Sequence, residues 1–336
     1  MLHWFQDSQR PLYLAPMAGV TDSVFRRLCK ELGADVTVTE FVSAEGILHR
    51  NQRTQEMIYF DSTERPIGVQ LFGAEPDRLA EAAKAVIDWV QPDFIDLNFG
   101  CPVNKVVSRH GGAALLRDCP LLEKVASAVV RAANPCPVTA KIRLGWSAET
   151  VNATETGRIL EAAGVEAIAV HGRTKEQGYT GSADWDRIAE VADAISLPVI
   201  GNGDVRSLEE VAGRFRTTRV RGLMIGRAAM TNPWLFRQAR YFLERGEILP
   251  DPTPEDRWKH IVRHCSLAVS EGGPEKHTMS SLRARLMAYS RGMPGGRWLR
   301  SEFQHVTALA QIIDLAASHL DWIRSGVAEP EVVEAA

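Results

Sequence analysis

Eight short apolar runs rich in β-branched residues punctuate roughly the first 240 residues of the 336-residue chain, each followed by a longer stretch of helical spacing. They are YLA (13 to 15), VTVT (36 to 39), IGVQL (67 to 71), FIDL (94 to 97), VTAKI (138 to 142), AIAV (167 to 170), VIG (199 to 201) and GLMI (222 to 225). Between them, segments such as DRLAEAAKAVIDWV and LLEKVASAVVRAAN repeat apolar residues every three or four positions. Strands separated by crossovers of this length pair in parallel, because the helix returns the chain to the same end of the sheet. The pattern predicts an α/β fold and leaves two arrangements, a closed (β/α)8 TIM barrel and an open doubly wound sheet.

The ends of the runs decide between them. Reading the residues at or just after each one gives Ala15, Pro16 and Met17, then Glu40, Gln70, Asn98, Lys141 with Arg143, His171 with Arg173, Asn202, and Gly226 with Arg227. Every unit ends in a polar or chemically distinctive group. A barrel brings all eight ends to one face, whereas an open sheet binds ligands only at its switch point and would scatter most of them. After Pro233 the pattern changes, and from about Pro254 it is wholly helical, with Leu282, Leu286 and Tyr289 on one stripe of SSLRARLMAYSR. We therefore expect a catalytic barrel over residues 1–245 and a smaller all-helical domain over 246–336, whose acidic tail VAEPEVVEAA frays.

Charge and cysteine usage narrow the function. The net charge of −3 conceals a basic segment at 257 to 303, which carries nine Lys/Arg against three Asp/Glu. That asymmetry points to a polyanionic partner. The five cysteines, Cys29, Cys101, Cys119, Cys136 and Cys265, form no C-x-x-C pair, so neither a zinc site nor a disulfide framework is expected and a reducing cytoplasm suits the chain. The N-terminus does not read as a signal peptide, and no apolar run approaches the ~20 residues that span a bilayer.

Four features carry chemistry. IGNGDV (200 to 205) and MIGRAAM (224 to 230) are glycine turns after the seventh and eighth runs, where barrels commonly hold phosphate; plain turns are the alternative. Asp204 is unhelpful to an anion there and reads as a cap for the next helix. Lys141 alternates inward near the barrel mouth among apolar neighbours, which is costly unless an anion or acceptor meets it. A Schiff base, a partner for a delocalised anion such as reduced flavin, and a structural ion pair all fit. Cys101, in DLNFGCPVNKVVSRHGG, sits in a glycine and proline turn bent on purpose, where a free cysteine often only fills a gap and the motif alone leaves open what else a thiol is for.

The segments APMAGVTD (15 to 22), TEFVSAEG (39 to 46), QLFG (70 to 73), DLNFGCPVNKVV (96 to 107), GGAALLRD (111 to 118), KIRLGW (141 to 146), VHGRTKEQGYTG (170 to 181), GNGD (201 to 204) and MIGRAA (224 to 229) resemble the tRNA-dihydrouridine synthases, in the same order. KIRLGW, HGRTKEQGY and FQHVTAL (303 to 309) look most like the bacterial C-type members. The resemblance implies an FMN-dependent, NADPH-driven reduction of a D-loop uridine in tRNA, at position 16 for the C-type; separately, a monomer is expected. It implies that Pro16, Met17, Ala18, Gln70, Lys141 and His171 bind the flavin, while Asn202, Gly203, Asp204, Gly226 and Arg227 surround its phosphate. Asn98, Arg143, Arg173 and Tyr179 would hold the uracil, with Cys101 the acid that protonates C5. For the rest of the tRNA we expect Lys259, Arg263, Lys276, Arg283, Arg285, Arg291, Arg297 and Arg300 to meet phosphates, with Trp258 or Trp298 as stacking groups. The rival readings are a flavin oxidoreductase for a free pyrimidine, a flavin-free lyase using Lys141, and a non-catalytic tRNA binder.

Overall fold

The structure, a computed structural model, describes residues 2–5, 10–108 and 110–326; the tail expected to fray lies outside them. Its strands are β1 (Leu12–Leu14), β2 (Thr37–Val38), β3 (Val42–Ser43), β4 (Ile67–Phe72), β5 (Phe94–Phe99), β6 (Val138–Arg143), β7 (Ala167–His171), β8 (Val199–Asn202) and β9 (Gly222–Ile225). They pair in parallel in the order β1-β9-β8-β7-β6-β5-β4-β2. A parallel bridge between Tyr13 and Val36 brings β2 back to β1, with the Leu14 N–H donating to the Val36 carbonyl at 3.0 Å. The ring is the expected (β/α)8 TIM barrel. β3 stands off it, paired with the far end of β4, and at two residues it is too short to leave a periodic signal.

Side chains alternate across each strand with period two. The outward row is apolar throughout, for example Ile95, Leu97 and Phe99 on β5 and Val138, Ala140 and Ile142 on β6, and it packs against the surrounding helices. The inward row changes character along the barrel. Toward the N-terminal end it is apolar, and the 3-10 helix His3–Phe5 plugs that end: the Trp4 indole donates to the Tyr13 hydroxyl at 2.5 Å, and Trp4 packs on Phe94. Toward the C-terminal end the inward row becomes Gln70, Asp96, Asn98, Thr139, Lys141, Arg143, His171 and Asn202. Polar groups buried at this density must face a ligand or one another.

The last barrel helix, Leu235–Arg245, ends on Gly246 in the left-handed conformation. Among the described residues four further helices follow, Pro254–Glu271, Glu275–Tyr289, Gly296–Phe303 and Leu309–Ser325. The first starts as expected, with Pro254 inside a capping box formed by Thr253 and Asp256. Leu282, Leu286 and Tyr289 are buried in the apolar cluster that also covers the outer face of the barrel. Arg285 closes this contact: it pairs with Asp22 at 3.2 Å, donates to the Gly19 carbonyl and stacks over the Phe25 ring. Beneath it, His260 and His264 approach the Tyr289 hydroxyl at 3.1 and 2.9 Å.

Burial holds both imidazoles neutral, His260 down to about 4 and His264 well below the ordinary histidine value. In the unfolded chain each takes up a proton near pH ~6.5, so their contribution to stability is complete above that pH and is lost as pH falls, at roughly 1.4 kcal/mol per pH unit for each. Thermal midpoints followed downward from neutral pH should therefore fall more steeply for the wild-type protein than for His260→Gln. Parallel slopes would show that this cluster does not set the acid limit.

Candidate active site

One cavity of about 650 Å³ opens at the C-terminal mouth of the barrel, and each residue expected to hold flavin or uracil lines it. Its size suits a ligand of several fused rings. Pro16, Met17 and Ala18 approach from the loop after β1, Gln70 and Asn98 from the inward faces of β4 and β5, and Lys141 and Arg143 from β6. His171 ends β7, and Asn202, Gly203, Asp204, Gly226 and Arg227 come from the turns after β8 and β9.

The backbone of the loop that carries the thiol is held from three directions. The Gly100 and Cys101 N–H groups donate to Asn98 Oδ1 at 3.1 and 2.8 Å, Arg143 Nε donates to the Gly100 carbonyl at 2.9 Å, and the Ala113 N–H donates to the Cys101 carbonyl at 3.1 Å. Gly112, at φ +59°, permits the last of these, since a Cβ there would sit 2.9 Å from the Cys101 oxygen. Cys101 is 6% exposed, and burial pushes its thiol up against the opposing pull of the Val103 N–H and the charges of Arg143 and Lys141. It is therefore protonated at neutral pH and able to give a proton.

Lys141 lies beside Asn98 in the β5–β6 register and makes no hydrogen bond or ion pair among the described residues. Burial and Arg143 lower it to about 8, while Asp96 pulls the other way. An ammonium facing a cavity with no protein partner is a docking point for an anionic or electron-rich ligand. His171 is held near 2 by burial and by Lys141, Arg143, Arg173 and Arg227, so it offers a neutral ring.

At the other side Asp204 gathers three arginines, Arg206 at 2.6 Å, Arg173 at 2.7 Å and Arg227 at 3.3 Å, and also accepts from the Ala183 N–H. These partners overcome its burial and bring its carboxyl to about 2. The expected cap role is corrected here: Ser207 caps the helix Leu208–Thr217 in a capping box with Glu210, and Asp204 instead orients guanidiniums. Gly203, at φ +127°, brings backbone past His171 and Ala183 where a Cβ would clash. Lys141, Arg143, Arg173, Arg206, Arg227 and Arg291 face the cavity against Asp204 alone among acids, so this mouth is strongly cationic in a chain of net charge −3.

The uracil-binding set is partly committed elsewhere. Arg143 Nη1 reaches the Thr174 and Gly178 carbonyls, leaving Nη2 as its free prong among the described residues. Arg173, 1% exposed, is held by Asp204 and the Thr180 and Gly181 carbonyls. Asn98 uses its oxygen on the thiol loop and donates to Gln70. Tyr179 stands 59% exposed at the rim, within cation–π reach of both Arg143 and Arg227.

The RNA-facing set divides. Lys259, Arg263, Lys276, Arg291 and Arg297 are exposed, and Arg291 alone of the eight lines the cavity. Arg300 is half-buried, Arg283 donates to the Val306 carbonyl, and Arg263 chelates Glu31 of the barrel. Two expectations are corrected. Arg285 is 6% exposed and spends its charge on the barrel contact, and Trp258 is 2% exposed, donating to His319 at 2.9 Å, so neither can reach a nucleic acid. Trp298 stacks on His319 and is half-buried. Sequence reasoning gave no role to Asp96, Thr139 or Arg206; the first two lie two residues before Asn98 and Lys141, a spacing that already put them on the same inward face.

Residues 13–322 match the family described as dihydrouridine synthase. A probable tRNA-dihydrouridine synthase of Aquifex aeolicus is 38% identical over 89% of this chain and 93% of its own length. The tRNA-dihydrouridine synthase B of Pseudomonas aeruginosa is 39% identical over 88% of each, and that of Xanthomonas campestris 37% identical over 94% of this chain and 95% of its own. These lettered relatives carry B, so their names do not support the finer C-type likeness. Among solved structures, a crystal structure of "TcOYE with pHBA" superposes with a TM-score of 0.53 at 14% identity, covering 74% of this chain and 92% of that one, and shares the fold.

Proposed function

The chain belongs to the dihydrouridine synthase family, and we propose that it reduces one D-loop uridine of tRNA to 5,6-dihydrouridine, with FMN as bound cofactor and NADPH as reductant. The observation that carries this is a buried cysteine on a hydrogen-bonded loop lining a cationic cavity, which also presents a lysine with no hydrogen-bond or ion-pair partner among the described residues. Reducing the C5–C6 bond needs hydride at one carbon and a proton at the other. FMN, when bound here and reduced by NADPH, would supply the hydride for C6. Cys101 holds the proton for C5, and Arg143 Nη2, Asn98 Nδ2 and Tyr179 are the groups that can orient the base.

The residues present fit the flavin. Lys141 would meet the electron-rich ring, Pro16, Met17, Ala18, Gln70 and His171 would line it, and Asn202, Gly203, Gly226 and Arg227 would surround the phosphate. Asp204 contributes by aiming its arginines rather than by touching the anion. Arg227→Ala should weaken FMN binding by about 10- to 100-fold, the worth of one charge-assisted contact. Flavin fluorescence on dilution checks this, and unchanged retention would move the phosphate elsewhere.

The tRNA must surrender a stacked base to this cavity while phosphate contacts hold the rest, and we assign those to the exposed Lys259, Lys276, Arg291 and Arg297, of which Arg291 lines the mouth, with the protein acting as a monomer in the cytoplasm. Affinity for tRNA should fall steeply with salt, and charge reversal at Arg291 and Arg297 should reduce the slope; a salt-independent affinity rejects the placement. The C-type likeness proposes position 16. Mapping dihydrouridine in tRNA from a host lacking the gene tests the function itself: loss at a single D-loop position is expected, and an unchanged map refutes it.

A further inference from the structure

Beneath the thiol loop runs a buried chain of four polar side chains. Thr139 Oγ1 donates to Asp96 Oδ1 at 2.5 Å, Gln70 Nε2 donates to Asp96 Oδ2 at 2.6 Å, and Asn98 Nδ2 donates to Gln70 Oε1 at 2.8 Å. Asn98 Oδ1 then accepts from Gly100 and Cys101. All four side chains are 8% exposed or less. Accepting Cys101 as the proton donor, we propose that Asp96 is a positioning residue for it, acting through Gln70 and Asn98.

Each hydrogen bond in this chain has a fixed direction. Asp96 accepts at both oxygens, and although burial raises its carboxyl the Thr139 and Gln70 donors pull it back down; backbone N–H groups only donate, so the chain is anchored by opposite constraints at its two ends. Asp96 obliges Gln70 to turn its amino group inward, which leaves Gln70 Oε1 facing Asn98. Asn98 must answer with its amino group, which turns its oxygen onto the thiol loop. A carboxylate in a barrel interior is costly to bury, and among the described residues it has no cation within hydrogen-bonding distance, only two neutral donors. A leucine would fill that space without the cost, but it would leave Gln70 free to flip and Asn98 free to follow.

The same logic supplies the test. Asn98→Asp keeps an acceptor for the thiol loop but sets oxygen against oxygen at Gln70, which cannot flip because Asp96 lies behind it. Adding Asp96→Asn lets the chain run in reverse: the new amide donates to Gln70 Oε1, Gln70 Nε2 donates to the carboxylate at position 98, and the loop keeps its acceptor. The readout is the rate at which iodoacetamide modifies Cys101 in the flavin-bound protein, followed by peptide mass mapping. Loss of one buried hydrogen bond should speed modification about tenfold in Asn98→Asp, and the double variant should return to near the wild-type rate. Simple electrostatics runs the other way in both comparisons, since a carboxylate at 98 raises the thiol pKa and losing the one at 96 lowers it. An Asn98→Asp rate equal to wild type, or a double variant no slower than Asn98→Asp, overturns the proposal. Should Asn98→Asp not fold, Gln70→Leu cuts the link between Asp96 and Asn98 without changing charge, and the same acceleration or its absence decides. Alkylation needs no turnover, so a wild-type protein that leaves tRNA unreduced would reject the functional reading while leaving this comparison intact.

Discussion

Cys101→Ala lowers single-turnover formation of dihydrouridine by about 10²- to 10⁴-fold, the usual worth of a positioned general acid, while flavin content, flavin reduction by NADPH and tRNA affinity stay at wild-type levels. The split follows from where the side chain sits. Its backbone carries the loop's hydrogen bonds to Asn98 and Ala113, and these survive truncation at Cβ; only the proton is lost. Burial keeps the thiol above its ordinary pKa, so the wild-type rate should also persist to a higher pH than an exposed cysteine would allow. Stopped-flow oxidation of the reduced enzyme by tRNA separates these steps. Near-normal oxidation in the variant would remove the acid role, whereas parallel loss of flavin would make the cysteine structural.

Lys141→Met should act on the other half of the reaction. An ammonium at a water-poor site stabilises negative charge that a ligand gains on reduction, typically by about 3 to 4 kcal/mol, which for a two-electron couple lowers the midpoint potential of bound flavin by on the order of 60 mV when the charge is removed. The wild-type protein carries its own pH signature. With Lys141 at about 8, its charge is present below that value and lost above it, so apoprotein affinity for FMN should decline as pH rises through 8, well before an ordinary lysine would titrate. Spectroelectrochemistry and flavin titrations measure the two effects. A potential unmoved in Lys141→Met would mean the ammonium does not face the ring.

Much of this architecture is legible in the chain because parallel strands buried on both faces must be short and β-branched, and their crossovers must be amphipathic. Each expected run lies within two residues of a barrel strand, and the polar groups at the run ends converge as a closed barrel demands. The glycine and proline turn around Cys101 was visible for the same reason: only special backbone chemistry bends there. What escaped was burial. Arg285 and Trp258 counted as charge and aromatic surface in a composition, but the helix Glu275–Tyr289 turns Arg285 toward the barrel, and the helix Pro254–Glu271 buries Trp258 against His319. Asp204 was read as a cap although Ser207, three residues before Glu210, already supplied the stronger capping signal. Asp96 and Thr139 carried no visible role because a polar residue pointing into a barrel acquires one only from its neighbours.

The account rests on one coupling: a thiol and a reduced flavin acting on the same tRNA base in the mouth of this barrel. The direct measurement is anaerobic titration of the NADPH-reduced, flavin-bound protein with tRNA lacking dihydrouridine, reading flavin absorbance and dihydrouridine together. One dihydrouridine should form per flavin oxidised, and free uracil or orotate should leave the flavin reduced. A colourless protein, or a flavin oxidised as readily by a free pyrimidine as by tRNA, would contradict it.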